Sequence, residues 1–193
     1  MSGRSLLRLT VGGLMLGHGL QKLQGSFGGP GLAGTEKFME SLDLHPAKHQ
    51  AKAVALSETV GGALTAAGMF TPLGPAMIIG GQAVAIQKVH AKNGVWVTQG
   101  GFEYNATLIA AAFAIAADGP GKLSIDALFG KQRKGFGWGL ASVVLGLGAA
   151  AATLAISEQF KPPAAPDTAQ TVMQGPDATA EAPAGVPPAA AKN

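Results

Sequence analysis

The chain alternates between five apolar stretches and short polar or Gly/Pro-rich connections. The first stretch, residues 6–24, has Arg4 and Arg8 at its start and closes on Gln21, Lys22 and Gln24. As a helix rising ~1.5 Å per residue it would be about 28 Å long, close to the ~30 Å hydrocarbon core of a bilayer. No cleavage site with small residues follows it, so it is expected to be retained as a first membrane helix and not removed as a signal peptide.

Four more apolar stretches cover residues 51–70, 75–87, 102–117 and 136–156. Pro75 suits the first turn of its helix, where a missing N–H is harmless. The fourth stretch is on the short side, and the fifth contains no charge. The pattern therefore predicts five helices long enough, or nearly so, to cross a membrane.

The connections carry shorter elements. Residues 35–42 predict a short interfacial helix, and residues 124–129 form a short amphipathic element. Residues 131–134 form a basic cluster. From Lys161 onward the chain is rich in Pro, Ala and Thr and lacks the apolar residues needed for a core, which predicts a disordered tail.

Composition places these helices in a membrane. Only 13% of the residues are charged and 47% are hydrophobic, whereas a soluble domain is about 25% charged. The 29 glycines suit helices that pack backbone to backbone in lipid. The predicted fold is all-α: a polytopic four-helix membrane bundle (residues 5–129), a basic loop and fifth C-terminal transmembrane helix (130–157) and a disordered tail (158–193).

Composition also excludes some functions. The chain has no cysteine, so thiol catalysis, disulfide exchange and thiolate metal sites are ruled out. The net charge of +3 is small and its basic residues lie in short loops, so nucleic-acid binding is not expected. His45, His49 and His90 lie in predicted loops and are expected to be exposed, not metal ligands.

Loop charges give an orientation. Arg4, Arg8 and the cluster 131–134 fall at one end of the predicted bundle and indicate a cytoplasmic N-terminus, which places the tail outside the cell. Lysines at the other end, including Lys37 and Lys88, weaken this orientation, which rests on the number of basic residues at each end. The expected location is the cell membrane.

Five polar side chains lie within or at the ends of the apolar stretches and are the candidate ligand-binding residues: His18, Lys22, Glu58, Gln82 and Glu103. Helix direction brings all of them to the outer half of the bundle. His18 and Lys22 are four residues apart on one helix face, and pairing of either with Glu58 would relieve the cost of burial. Simpler readings stay open, because Lys22 could reach the interface, His18 could serve packing, and Glu103 could be solvated.

At the other end of the bundle, Arg8 is expected to lie near Asp118 and Asp126. These three residues predict a structural ion pair that ties the first helix to the basic loop.

Three stretches of the sequence resemble the DoxX/DoxD family of small membrane proteins. They are LRLTVGGLMLGHGLQKL (7–23), SETVGGALTAAGMFTPLG (57–74) and GPGKLSIDALFG (119–130), and FEYN (102–105) resembles the family's fourth-helix start. The resemblance implies a four-helix membrane bundle and a link to quinone-coupled redox chemistry. It also marks Arg8, His18, Lys22, Glu58 and Glu103 as positions typical of the family, while the fifth helix and the tail lie outside its pattern.

The resulting functional hypothesis is an accessory subunit of a membrane redox system, with lipid and other redox subunits as partners and a polar pocket for a quinone-like molecule. Whether the protein is an enzyme, and how many copies assemble, stay open. The alternative is a non-catalytic membrane scaffold that recruits partners through its bundle surface and tail. A transporter is disfavoured because the sequence shows no inverted repeat.

Overall fold

The structure is a computed structural model that describes residues 2–163. Over this range the chain is all-helical, with α-helices joined by turns and short 3₁₀ segments. The α-helices are α1 (Gly3–Gln24), α2 (Gly31–Ser41), α3 (Ala47–Ala67), α4 (Leu73–Ala85), α5 (Glu103–Asp118), α6 (Ile125–Leu128) and α7 (Phe136–Gln159).

All five apolar stretches are helices, and their ends have identifiable causes. The α1 helix begins three residues before its apolar stretch because the Ser2 hydroxyl accepts a hydrogen bond from the Ser5 N–H at 3.3 Å. It ends at Gly25, whose φ of 75° suits glycine. The α4 helix continues directly into a π-helical turn, Ile86–His90.

Close contact between α1 and α3 forms the tightest helix pair. A Cβ on Gly12 would lie 2.3 Å from the Ala66 nitrogen, and a Cβ on Gly62 would lie 2.3 Å from the Leu16 nitrogen. The two backbones therefore touch directly, as small residues permit in membrane helices.

The main core lies between α1, α4 and α5. Met15 from α1, Ile78 and Ile79 from α4, and Leu108 and Ile115 from α5 are all buried in it. These apolar side chains orient α1 and α5 against α4, which is the central helix of the bundle.

The fifth apolar helix, α7, is part of this bundle. A Cβ on Gly146 would lie 2.7 Å from the Ala76 oxygen, and a Cβ on Gly139 would lie 2.7 Å from the Phe113 ring. Thus α7 packs on both α4 and α5. The compact unit containing α1 to α7 extends to Lys161.

The end of α7 is tied to the turn between α2 and α3. The buried Ser157 hydroxyl accepts a hydrogen bond from the His45 N–H at 2.8 Å, and the ammonium of Lys161 pairs with the carboxylate of Asp43. This set of contacts, the Asp43 latch, fixes the last turn of α7. Helix α7 runs to Gln159, so the first residues assigned to a disordered tail are helical. The rest of that tail, 164–193, lies outside the described residues.

Among the described residues, one helix is both long enough and apolar enough to cross a membrane, Phe136–Gln159. Helices α1 and α3 have 22 and 21 residues but are less hydrophobic, and α4 and α5 have 13 and 16. The all-helical fold is confirmed, and the multi-pass arrangement stays a prediction.

Candidate functional site

An ion pair joins the first two long helices in the half of the bundle where α1 ends. The Lys22 ammonium on α1 lies 2.5 Å from Glu58 Oε2 on α3. The two side chains are 25% and 10% exposed, respectively. Of the two partners predicted for Glu58, Lys22 is the one that contacts it, and the pair neutralises two charges that are costly to bury separately.

Glycine packing sets the spacing for this pair. A Cβ on Gly19, one turn before Lys22, would lie 2.3 Å from the Thr59 nitrogen beside Glu58. The Thr35 hydroxyl on α2 lies 2.8 Å from the Gly31 carbonyl and 3.3 Å from the Lys22 carbonyl, so its single proton is shared between them. The backbone at Lys22 thus adjoins both α2 and α3, and its side chain reaches Glu58 on α3.

A second polar contact is fully buried and joins α4 to α5. Asn105 Nδ2 donates to Gln82 Oε1 at 2.8 Å, and Gln82 Nε2 points at Met15 Sδ at 3.9 Å. Gln82 is a predicted site residue, whereas Asn105 entered the sequence analysis only as the last residue of the FEYN stretch. Its position in the first turn of a short apolar helix was the available signal, because an amide there faces either solvent or another helix.

His18 and Glu103 do not join these contacts. His18 is exposed on α1, four residues before Lys22. Glu103 is half-buried, and its Oε1 accepts a hydrogen bond from the Val97 N–H at 3.0 Å, so it orders the loop before α5. The five predicted residues thus separate into the Lys22–Glu58 pair, the Gln82–Asn105 contact and two side chains at the periphery.

At the opposite end, Arg8 lies next to the 119–126 segment, but no ion pair with Asp118 or Asp126 forms within residues 2–163. Its guanidinium donates to the carbonyls of Pro120 at 3.1 Å and Leu123 at 2.5 Å. Asp118 is exposed at the end of α5. This corrects the expected Arg8–carboxylate pair.

Asp126 has a different role, which explains the correction. Its two carboxylate oxygens accept hydrogen bonds from the backbone N–H groups of Phe70 at 3.0 Å and Thr71 at 2.9 Å. Its own N–H donates to the Gly68 carbonyl at 3.0 Å. The carboxylate is buried and fully engaged by the α3–α4 turn, so it is not available to Arg8.

Arg133 was not predicted to have a structural role. It donates to the Thr71 carbonyl at 3.2 Å, and its guanidinium lies 5.4 Å from the centre of the Trp138 ring. One member of the basic cluster is thereby fixed to the α3–α4 turn and to α7.

The charged groups of the Asp43 latch perturb each other's pKa values. The pKa of Asp43 is lowered, first by its hydrogen bond with Lys161 and then by its hydrogen bond with His45, whose Nε2 is 2.8 Å from Oδ1. The pKa of Lys161 is raised by the same contact with Asp43. Both shifts favour the charged forms and the closed latch.

Residues 3–91 match the family model DoxX. Over these residues the chain is similar to the DoxX family. The match spans α1 to α4 and the π-helical turn, somewhat less than half of the chain. No curated protein and no solved structure matches the chain.

Similarity to the DoxX family indicates a membrane protein in contact with a lipid bilayer, which agrees with the composition. Both residues of the Lys22–Glu58 pair, together with Arg8, His18 and Gln82, fall inside the DoxX match. Residues 102–105 and 119–130, which resembled the family in sequence, lie beyond it. Within residues 2–163, no group of three or more His, Cys, Asp or Glu side chains could hold a metal ion.

Proposed function

We propose that this protein is a multi-pass accessory subunit of a membrane redox system. In this proposal, the surface formed by His18 and Lys22 on α1 binds the carbonyl head of a quinone-like molecule. The Lys22–Glu58 pair is the observation that carries the proposal.

The proposed chemistry follows from the donors at this surface. A lysine ammonium has three N–H donors, and the recorded contact with Glu58 engages one of them. A quinone carbonyl is a neutral acceptor that could take another. The exposed imidazole of His18, one turn away on the same helix face, supplies a second donor or acceptor.

Glu58 keeps this donor set in the membrane. Without a carboxylate beside it, an ammonium in an apolar helix pair would be costly to bury. Glu58 on α3 balances the charge of Lys22, whose side chain is still 25% exposed and therefore accessible to a ligand.

The distribution of aromatic side chains supports several membrane spans. Tryptophan and tyrosine concentrate at the two interfaces of a membrane protein. The exposed aromatics at the end where α1 terminates are Phe27, Phe38, Trp96, Tyr104 and Phe160, and those at the other end are Phe70, Phe129, Phe136 and Trp138. Between these two bands the exposed large side chains are aliphatic, such as Leu14, Val60 and Val144.

Helix lengths are compatible with this arrangement. At ~1.5 Å per residue, α1 is about 33 Å long and α3 about 31 Å, from 22 and 21 residues. Helix α4 with its π-helical turn covers residues 73–90. Each is close to the ~30 Å hydrocarbon core.

Quinone binding by purified variants tests the proposed site. Menaquinone-4 and decylubiquinone would be titrated into detergent-solubilised protein, with binding followed by native mass spectrometry. We expect Lys22→Met to weaken binding at least tenfold and His18→Ala to weaken it several-fold. Lys37→Met and Glu40→Gln, the same kinds of change at exposed positions on α2, should leave it unchanged.

Because Lys22→Met alone leaves Glu58 without its partner, the double variant Lys22→Met/Glu58→Gln provides a folded protein with a neutral pair. It should also fail to bind. If wild-type protein binds neither quinone, or if the double variant binds like wild type, the quinone proposal is wrong and the scaffold hypothesis takes its place.

A further inference from the structure

A surface cavity lies at the end of the bundle opposite the Lys22–Glu58 pair. It has a volume of about 510 Å³ and is lined by Ser2, Arg4, Ser5, Gly121, Lys122 and Leu123. The lining comes from two segments far apart in sequence, the start of α1 and the turn after α5.

We propose that this cavity binds a phosphate group, and that the group is the headgroup of an anionic phospholipid. The inference rests on the multi-pass arrangement proposed above, because that arrangement places the cavity at a membrane interface.

The polar lining supplies donors suited to a phosphate. Arg4 and Lys122 are exposed cations, and neither forms an ion pair within residues 2–163. An arginine guanidinium can bind two phosphate oxygens at once, and a lysine adds a point charge. The hydroxyls of Ser2 and Ser5, 3.1 Å apart, add neutral donors at the same wall.

The two cations are held together by fixed backbone. A Cβ on Gly121 would lie 3.3 Å from Arg4 Cδ, so the Arg4 side chain lies against the turn that carries Lys122. Buried Arg8 holds this turn from below through the carbonyls of Pro120 and Leu123. Arg8 is therefore a positioning residue, and this wall of the cavity is preformed in the absence of a ligand.

The surroundings favour a lipid over free phosphate. Leu123, which lines the cavity, is 68% exposed, and Leu6 and Leu7 on the adjacent face of α1 are also exposed. Apolar side chains beside a cationic cavity match a molecule with an anionic head and acyl chains. This end of the bundle carries six cationic side chains and only two carboxylates, and the excess positive charge attracts anions. The cations are Arg4, Arg8, Lys122, Lys131, Arg133 and Lys134, and the carboxylates are Asp118 and Asp126.

Lipid binding by the full chain tests the site. Delipidated protein in detergent would be titrated with dioleoyl phosphatidylglycerol, with zwitterionic dioleoyl phosphatidylcholine, and separately with inorganic phosphate, using native mass spectrometry for the lipids and melting temperature for phosphate. We expect phosphatidylglycerol to bind at least tenfold more tightly than phosphatidylcholine. The variant Arg4→Gln/Lys122→Gln should lose most of this preference.

The matched control is Lys131→Gln/Lys134→Gln, which removes two exposed charges at the same end without altering this cavity. Retained preference in the control supports the site. Equal loss in both variants, or unchanged binding by Arg4→Gln/Lys122→Gln, overturns it. Stabilisation by inorganic phosphate without any preference for phosphatidylglycerol overturns the assignment to a lipid.

The result is independent of the quinone test. Both residues changed here lie at the end of the bundle opposite Lys22, so Arg4→Gln/Lys122→Gln should bind menaquinone-4 like wild type. Loss of lipid preference with intact quinone binding separates the two proposals, and exposure of both changed side chains makes unfolding an unexpected outcome.

Discussion

Glu58 has one charged partner within the described residues, the ammonium of Lys22. The pair lies where the backbones of α1 and α3 are in direct contact. A pair of this kind differs from a surface salt bridge. Its side chains are mostly removed from solvent, so breaking it leaves a charge that water cannot fully reach.

We therefore expect Glu58→Gln to lower the free energy of unfolding by about 1–3 kcal/mol, between the values typical of exposed and buried pairs. Titration with sodium dodecyl sulfate in mixed micelles measures this change. The double variant Lys22→Met/Glu58→Gln should recover part of the loss, and exposed Glu40→Gln should change little. Additive losses in the double variant would show that the two side chains do not interact.

The sequence placed Glu58 near His18 and Lys22 but left both as possible partners. The choice of Lys22 depends on how α1 is rotated against α3, and only the structure shows it. Asp126 and Arg8 share one end of the bundle, yet each binds backbone groups. Sequence cannot show this, because carbonyls and N–H groups are present at every residue and only the turn geometry exposes particular ones.

At the scale of elements, glycine determines how α1 and α3 meet. Gly12, Gly19 and Gly62 lie in the contact, whereas a Cβ on Gly13 or Gly17 would meet nothing within 4 Å. The abundance of glycine in the sequence predicted close approach of the helices. It could not tell which glycine of each adjacent pair faces the partner, since that depends on helix rotation.

This difference provides a sharp comparison. Gly62→Ala places a methyl group 2.3 Å from the Leu16 nitrogen, on rigid backbone, so we expect it to separate the helices and lower stability by about 1–3 kcal/mol or more. Gly13→Ala meets nothing and should be neutral or stabilising by up to ~1 kcal/mol through helix propensity. Melting temperature in detergent measures both. Equal effects would contradict the packing described for α1 and α3.

The Asp43 latch is a second element-scale feature, and its strength should depend on pH. The folded pKa of Asp43 lies below its usual 3.8, so its contribution is present above that value and is lost as the pH falls through the folded pKa. The folded pKa of Lys161 lies above its usual 10.5, so its contribution is present below that value and is lost as the pH rises further.

We expect the last turn of α7 to be well protected at neutral pH and to open more often as the pH falls below about 4, near the ordinary value of 3.8 for Asp43. Hydrogen exchange of residues 150–161, corrected for intrinsic rates, measures this opening. Asp43→Asn should expose the segment already at pH 7 and remove the acid dependence. Unchanged protection in Asp43→Asn would show that the buried Ser157 contact alone holds the helix end.

The whole molecule combines a segment that matches the DoxX family model with a later helix, α7, that packs on α4 and α5. The apolar stretches predicted the positions of the helices well, because each stretch is bounded by Gly, Pro or charged residues. They could not show that α7 packs on α4 and α5, since its outward and inward faces are both apolar. The family match also stops before α5, so the contacts of α5 and α7 become visible only in three dimensions.

Absence of cysteine makes the proposed topology directly measurable. Lys48→Cys, in the exposed first turn of α3, and Lys134→Cys, in the loop before α7, place single thiols at opposite ends. We expect a membrane-impermeant maleimide to label Lys48→Cys in intact cells and Lys134→Cys only after the membrane is disrupted. The reverse pattern would invert the orientation, and labelling of both from outside would contradict the multi-pass arrangement.

Helix α7 has a consequence for biosynthesis. Gly80 on α4 packs closely against the backbone of Gly146, a residue that is synthesised more than sixty positions later. Until then, this side of α4 lacks the helix that packs on it. A nascent chain interrupted before residue 136 would carry every residue of the matched family segment and still present an open seam along its central helix. Quality-control proteases that recognise such seams should therefore distinguish truncated from finished chains.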